Sequence, residues 1–324
     1  MGLDLVISSY SAGNSLRKSS TSHSLIDPSF PLYGKFFARG NADGRDMGEG
    51  AAGAARVVSF LTDYGLDDPY VGEVKARMLS VCGEIRVIDV THSVERQNVL
   101  HGAFLLYLSY RFFPDGTVHL AVVDPGVGTE RRCIAIRTRR YWFVGPDNGL
   151  LYPAASEDGI LRCYEIDLDA YPRYGGETFH GRDVFGPVAA ELACGASPKM
   201  REVDPETVQK LDFGRPVVTD RGVRVKVLHV DRFGNCITNL RADELPSWMR
   251  YGDTFSVRSA GKEVRARFAR AYGEVQPGKF LLTVGGTGFL EVSVSMGDAA
   301  RQLGVRPGSE LVVEQNEVGS VDRG

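Results

Sequence analysis

From Arg56 to about Ala196, short apolar runs alternate with segments in which apolar residues return every three or four positions. Val57 to Leu61 predicts a buried strand, and Val71 to Cys82 a helix with Val74, Met78 and Val81 on one face. Val87 to Val90 predicts the next strand, and Val99 to Phe113 a second helix with Leu100, Phe104 and Leu108 in register. Strands follow at Thr117 to Val123, Cys133 to Thr138 and Tyr141 to Val144, then a helix at Val184 to Cys194 before Gly195. Alternation of this kind predicts an α/β fold with a largely parallel sheet covered by helices.

Pro198 to Asp212 is a polar, proline-containing linker, and beyond it the period shortens to two. Val223, Val225 and Val227 alternate with Arg224 and Lys226. Phe255 and Val257 lead through a Gly261 turn to Val264, Ala266 and Phe268; Phe289, Val292, Val294 and Leu311 to Val313 complete the set. Short strands at hairpin spacing predict a small antiparallel β-barrel or sandwich. Residues 1–55 lack apolar periodicity and are rich in Ser, Gly and Asn, so they read as a disordered extension. Met47, just before the first strand, is a candidate true start; a genuine flexible tail is the alternative. The expected organisation is therefore an extension of 1–55, an α/β domain of 56–212, a β-barrel domain of 213–316 and a tail of 317–324.

Composition narrows the class of partner. A net charge of −3, with no run of Lys and Arg interleaved with aromatics, argues against nucleic acid. No stretch reaches the roughly 18 apolar residues of a membrane helix, so no membrane association is expected. The five cysteines are an odd number, widely spaced and without a Cys-x-x-Cys pair, a usage that fits a reducing cytoplasm. No histidine pair has metal-ligand spacing, and neither Gly-x-Ser-x-Gly nor a phosphate-binding glycine loop is present.

In a parallel sheet, ligands bind beyond the carboxyl ends of the strands, and three such ends are rich in Asp and Gly. Asp63, after the first strand, is placed to take the two hydroxyls of a ribose; a turn or helix cap is the plainer reading. Asp124 ends another strand, with Pro125, Gly126 and Gly128 behind it. Arg131, seven residues on, can fold back to pair with that carboxylate and favour its charged form; otherwise the segment is a turn with an ion pair. His180 sits in the loop before the helix at Val184, and Asp183 reads as that helix's N-cap. In the β region, Asp231, Phe233 and Asn235 suit a flat heterocycle stacked on the ring, or simply form a hairpin turn.

Together these segments resemble the S-adenosyl-L-methionine (SAM) hydroxide adenosyltransferases, relatives of fluorinase and chlorinase. The resemblance runs from about Arg56 to Glu314. It is carried in order by Thr-Asp-Tyr-Gly-Leu-x-Asp-Pro-Tyr-Val-Gly-Glu from Thr62, Val-Asp-Pro-Gly-Val-Gly-Thr-Glu-Arg-Arg from Val123 and Gly-Pro-Asp-Asn-Gly-Leu-Leu from Gly145. Thr-Phe-His-Gly-Arg-Asp from Thr178 and Phe-Gly-Asn from Phe233 complete it. It implies hydrolysis of SAM to adenosine and methionine, SAM being substrate and no separate cofactor being needed. It also implies a homotrimer whose sites lie between the α/β domain of one subunit and the barrel of the next.

On this resemblance Asp124, Arg131 and His180 activate water, while Asp63 takes the ribose and Phe233 with Asn235 the adenine. Asp68 and Asp231 take the methionine portion. Halogenating relatives have Tyr, Thr and Ser where this chain has Asp124, Val127 and Gly181, so a halide pocket is not expected. Where the family has Ser and a polar residue or Arg for the methionine carboxylate, this chain has Gly286 and Thr287, leaving Thr287 and backbone amides for that task. A SAM-dependent halogenase and a non-catalytic SAM or adenosine sensor are the competing readings.

Overall fold

The computed structural model describes residues 56–259 and 261–316. The proposed extension, the Met47 start and the 317–324 tail lie outside the described residues. In chain order the first half contains β1 (Val57–Thr62), α1 (Tyr70–Val81), β2 (Arg86–Thr91), α2 (Val99–Ser109), β3 (Val118–Val122), β4 (Cys133–Thr138) and β5 (Trp142–Pro146). It continues with α3 (Tyr152–Asp158), β6 (Ile160–Ile166), α4 (Gly186–Ala193) and β7 (Met200–Val203).

These strands form one sheet in the order β2-β1-β3-β5-β4-β6-β7. The expectation of an α/β fold stands, but only β2, β1, β3 and β5 run parallel; β4, β6 and β7 add antiparallel neighbours. Each of β1 and β3 is buried along its whole length, because its two faces are both covered. Val58 and Phe60 pack with Val74 and Met78 of α1 and Val188 of α4, whereas Leu61 and Ala121 pack with Phe104 of α2 and Ala154 of α3. Alternate side chains of a strand point to opposite faces, so a continuous apolar run is what such a position requires.

Three elements escape the apolar pattern. The short α3 spans two turns, β6 is half exposed, and β7, at the sheet edge, lies inside the segment expected to be a linker. The predicted helix at Val184 begins earlier, as a single π-helical turn over Gly181–Phe185 that runs into α4. Asp183 lies inside that turn and makes no capping bond; its buried carboxylate instead accepts from Arg182 Nε at 2.7 Å and from the Tyr174 amide at 3.2 Å. Cysteine spacing along the chain also misleads: Cys82 and Cys194, 112 residues apart, form a disulfide joining the ends of α1 and α4. Cys133, Cys163 and Cys236 are free and buried.

The second half comprises β8 (Val217–Val218), β9 (Gly222–Val230), β10 (Cys236–Arg241), β11 (Thr254–Ser259), β12 (Lys262–Phe268), β13 (Phe280–Val284), β14 (Phe289–Val294), α5 (Ala299–Leu303) and β15 (Glu310–Gln315). The order β10-β14-β13-β12-β11-β15-β9 closes through a β9–β10 pairing into a barrel, with β8 as a flap on β9. Val223, Val225, Val227, Phe255 and Val257 fill it, as the period-two pattern requires. One pair departs from the antiparallel expectation: β12 and β13 are parallel, because residues 269–279 carry the chain back to the end from which β12 started. The described residues belong to one compact unit, and Phe104 of α2 meets Phe213 and Phe289 edge-on, at 5.3 Å in each case. Among the described residues, no helix is long and apolar enough to cross a membrane.

Two stability predictions follow from this packing. A Cβ at Gly145 of β5 would stand 2.3 Å from the backbone oxygen of Ala121 in β3, an atom that moves only with its strand. Gly145→Ala is therefore expected to cost about 3 kcal/mol, read as a lower urea midpoint; an unchanged midpoint contradicts this contact.

The second concerns acid. Burial pushes His92, His101, His119, His180 and His229 down, His119 to about 3 and His229 to about 4, with Arg140 adding to the effect at His119 and His101 at His229. Unfolded histidines take up protons near pH ~6.5, so between there and the lowered values the unfolded chain holds more protons than the folded one. The stability contributed by these groups is complete above about pH 6.5 and is lost as pH falls toward about 4 for His229 and about 3 for His119. Denaturant midpoints measured from pH 7 to 4.5 are expected to fall steadily; a flat profile contradicts the neutral state of these rings.

Candidate active site

Because β1 and β3 are parallel neighbours, with Thr62 opposite Val122, the loops that follow them leave the same edge of the sheet. Thr129 donates its hydroxyl to the Gly126 oxygen at 2.7 Å, and Gly128 adopts φ +78. Glycine reaches that left-handed conformation at little cost, and the tight turn brings Arg131 back over Asp124. Arg131 Nε donates to Asp124 Oδ1 at 2.9 Å, and Arg131 Nη2 to Asp124 Oδ2, making a two-pronged ion pair whose side chains are 10% and 6% exposed. Burial opposes the guanidinium charge, but the bonds to Asp124 and Cys133 raise its affinity for the proton.

His180 meets the same guanidinium, with its Nδ1 2.9 Å from Arg131 Nη2. Arginine nitrogens only donate, so Nδ1 is the acceptor and the ring's proton sits on Nε2. Burial, and then the charge of Arg131, push His180 below its ordinary value, so the ring is neutral. Nε2 is buried without a hydrogen-bond partner, the Glu177 carboxylate lying 3.7 Å away. One guanidinium thus links a buried carboxylate to a histidine whose Nε2–H is unused.

Two further residues belong to this cluster and were not visible in the sequence. The Cys133 thiol accepts from Arg131 Nη1 at 2.8 Å and is pushed up to about 11, chiefly by burial. Tyr64 brings its hydroxyl over Gly181, where an added Cβ would lie 2.2 Å from that oxygen. Burial, then Asp63 and Asp124, raise the Tyr64 phenol, which stays protonated. Position 133 gives no signal beyond opening β4, and Tyr64 needed knowledge of what faces residue 181.

Asp63 is held at the same edge, its Oδ2 accepting the Gln97 amide at 2.8 Å. Asp68 is exposed and borders an open hollow of about 520 Å³ that runs along α1 past Leu66, Pro69 and Glu73. That hollow does not include the Asp124 cluster.

The remaining expected residues lie on the barrel. Asp231 Oδ1 accepts the amides of Phe233 and Asn235, each at 2.9 Å, and its Oδ2 accepts Asn235 Nδ2 at 2.8 Å. The hairpin-turn reading is therefore correct as far as it goes, yet the turn leaves Phe233 76% exposed at its tip, and the bonds that Asn235 makes to Asp231 use its backbone amide and Nδ2. Behind it, Tyr272 donates to Glu291 at 2.8 Å, and burial raises that carboxyl. Thr287 Oγ1 is buried without a partner. Among the described residues, no hydrogen bond, ion pair or ring contact joins Asp231, Phe233, Asn235 or Thr287 to the Asp124 cluster.

The chain is similar to known proteins along most of its length. The model of the SAM hydroxide adenosyltransferase N-terminal domain matches residues 58–202, and that of the C-terminal domain matches 225–312. A protein of Thermus thermophilus named (R)-S-adenosyl-L-methionine hydrolase is 39% identical over 263 residues, covering 78% of this chain and 97% of that protein. One of the same name from Methanocaldococcus jannaschii is 35% identical over 259 residues, covering 77% and 92%. The crystal structure of an uncharacterized conserved protein from Thermotoga maritima superposes with a TM-score of 0.75 at 38% identity, covering 80% of this chain and all of that one.

Proposed function

The chain belongs to the SAM hydroxide adenosyltransferase family, and from that membership we propose that it hydrolyses (R)-S-adenosyl-L-methionine to adenosine and L-methionine by direct attack of water on ribose C5′. The observation that carries the mechanism is the buried pairing of Asp124 with Arg131, whose guanidinium also meets His180 Nδ1 and leaves that ring's Nε2 unpartnered.

The sulfonium leaves C5′ as a neutral thioether and needs no proton, so a general acid is superfluous. One water has to be placed in line with the carbon–sulfur bond and relieved of a proton as it attacks. A water that donates one hydrogen to Asp124 and accepts the His180 Nε2–H keeps one lone pair free for C5′. Arg131 binds both carboxylate oxygens through one lone pair each, leaving others for the water proton.

Asp63 takes the ribose hydroxyls, Phe233 stacks on the adenine, and the Asn235 side-chain oxygen takes the adenine amino group. Asp68 and Asp231 face the methionine ammonium, and the unpartnered Thr287 hydroxyl, with neighbouring amides, takes its carboxylate. A homotrimer in which the sheet edge of one subunit meets the barrel turn of the next would bring the two sets of residues together; among the described residues no hydrogen bond, ion pair or ring contact joins them within a chain. Light scattering checks the assembly.

The activity itself is tested by incubating the purified protein with SAM and separating the products. Equal amounts of adenosine and methionine are expected. Retention of nucleoside without free methionine supports a sensor instead, and a 5′-halogenated nucleoside formed in chloride or fluoride supports a halogenase.

A further inference from the structure

Thr62, the last residue of β1, is fully buried, and its hydroxyl sits 2.8 Å from His92 Nδ1. The same hydroxyl accepts the Tyr64 amide at 3.2 Å. His92 also holds the far side of this loop, its backbone oxygen accepting the Gly65 amide at 2.8 Å. Asp63 and Tyr64 are thus bracketed between two bonds to one histidine. His92 is itself buried, edge-on to Phe60 at 4.8 Å, with Nε2 3.1 Å from Asp89 Oδ1, a close contact though not an aligned hydrogen bond. Lys75 of α1 fixes the other oxygen of Asp89 at 2.6 Å.

The directions of these bonds agree. The carboxylate beside Nε2 favours the proton there, which leaves Nδ1 to accept from the Thr62 hydroxyl. That hydroxyl, having donated, offers a lone pair to the Tyr64 amide. A second strap runs in parallel: the Gln97 amide reaches Asp63 Oδ2 from a residue held at φ +61, a conformation rare for a side-chain-bearing residue. Segment 89–97 therefore grips the loop on both sides of Asp63.

We propose that His92 is a positioning residue for substrate binding, holding through Thr62 the loop that aims Asp63 at the ribose. It rests on the reading of Asp63 given above, and its main effect is on affinity, since Asp124, Arg131 and His180 hang from the loop between β3 and β4 and from the π turn, and only Tyr64 of that cluster stands on the braced loop.

The test compares His92→Phe, Thr62→Val and Thr62→Ser in the full chain, with His92→Phe repeated in an Asp63→Ala background. The first two are expected to raise KM about tenfold with kcat changed less than about threefold, as the loss of an aligned buried hydrogen bond implies. Thr62→Ser keeps the hydroxyl and is expected to restore KM to within about twofold. In the Asp63→Ala background His92→Phe is expected to add less than about twofold, because its effect passes through a group already removed. An unchanged KM, a loss concentrated in kcat, failure of Thr62→Ser to restore KM, or full additivity with Asp63→Ala overturns the proposal. Absence of SAM hydrolysis in the unaltered protein would instead sink the functional reading. The same variants would then be compared by calorimetric binding of adenosine, where the same pattern in Kd supports the positioning role and its absence overturns it.

Discussion

Asp124→Asn is expected to lower kcat for SAM hydrolysis by about 10³-fold while leaving KM within about threefold, because the amide keeps the carboxylate's shape but cannot take a proton. Glu177 lies 3.7 Å from His180 Nε2 but is 63% exposed, whereas Asp124 is the carboxylate held in the buried pair with Arg131, so Asp124 is the base this substitution removes. The replacement also strands a buried guanidinium, whose partner is lost, and breaking one half of such a pair costs about 3–5 kcal/mol. Activity therefore has to be measured well below the variant's unfolding temperature, with circular dichroism confirming the fold. A folded Asp124→Asn protein that keeps its kcat shows that some other group deprotonates the water.

Gly181→Ala is expected to lower kcat/KM at least about 10²-fold, since a displacement of about 1 Å at a reacting centre has that order of effect. Its Cβ would lie 2.2 Å from the Tyr64 hydroxyl, and residue 181 follows His180 directly in the π turn. Either Tyr64 swings away, dragging the loop that carries Asp63, or the turn shifts and takes His180 with it. Tyr64→Phe removes the hydroxyl but leaves the ring carbon Cζ 3.3 Å from the new Cβ, a tight but tolerable contact. The double variant should therefore recover part of the loss. If Gly181→Ala alone is fully active, the closeness of Tyr64 to this backbone has no bearing on catalysis.

What could be read from the chain, and what could not, divides along physical lines. The α/β region followed by a small barrel was legible because β1 and β3 are buried on both faces, and β9 and β11 on one, so burial wrote continuous or alternating apolar patterns. Half-exposed β6 and edge strand β7 carry no such constraint and left no pattern. The pairing of Asp124 with Arg131 was legible because both lie on one short glycine-containing loop. The location of His180's proton was not, since it depends on a guanidinium 49 residues away in sequence. Nor were Tyr64, Cys133 and the Cys82–Cys194 disulfide, each defined by contacts between distant segments. Asp183 shows the opposite failure: a residue type and position that fit an N-cap, in a turn whose buried Arg182 pairing holds the side chain elsewhere.

In the proposed reaction one water, its proton passing to Asp124, displaces the sulfonium in a single step. A single turnover in ¹⁸O water, with enzyme in excess over SAM, tests it most directly. ¹⁸O is expected in the 5′-hydroxyl of the adenosine formed and none in the Asp124 carboxylate. Unlabelled adenosine from that first turnover, with ¹⁸O appearing in Asp124, would mean that the carboxylate itself attacks C5′ and that the ester is then opened by water, which contradicts it.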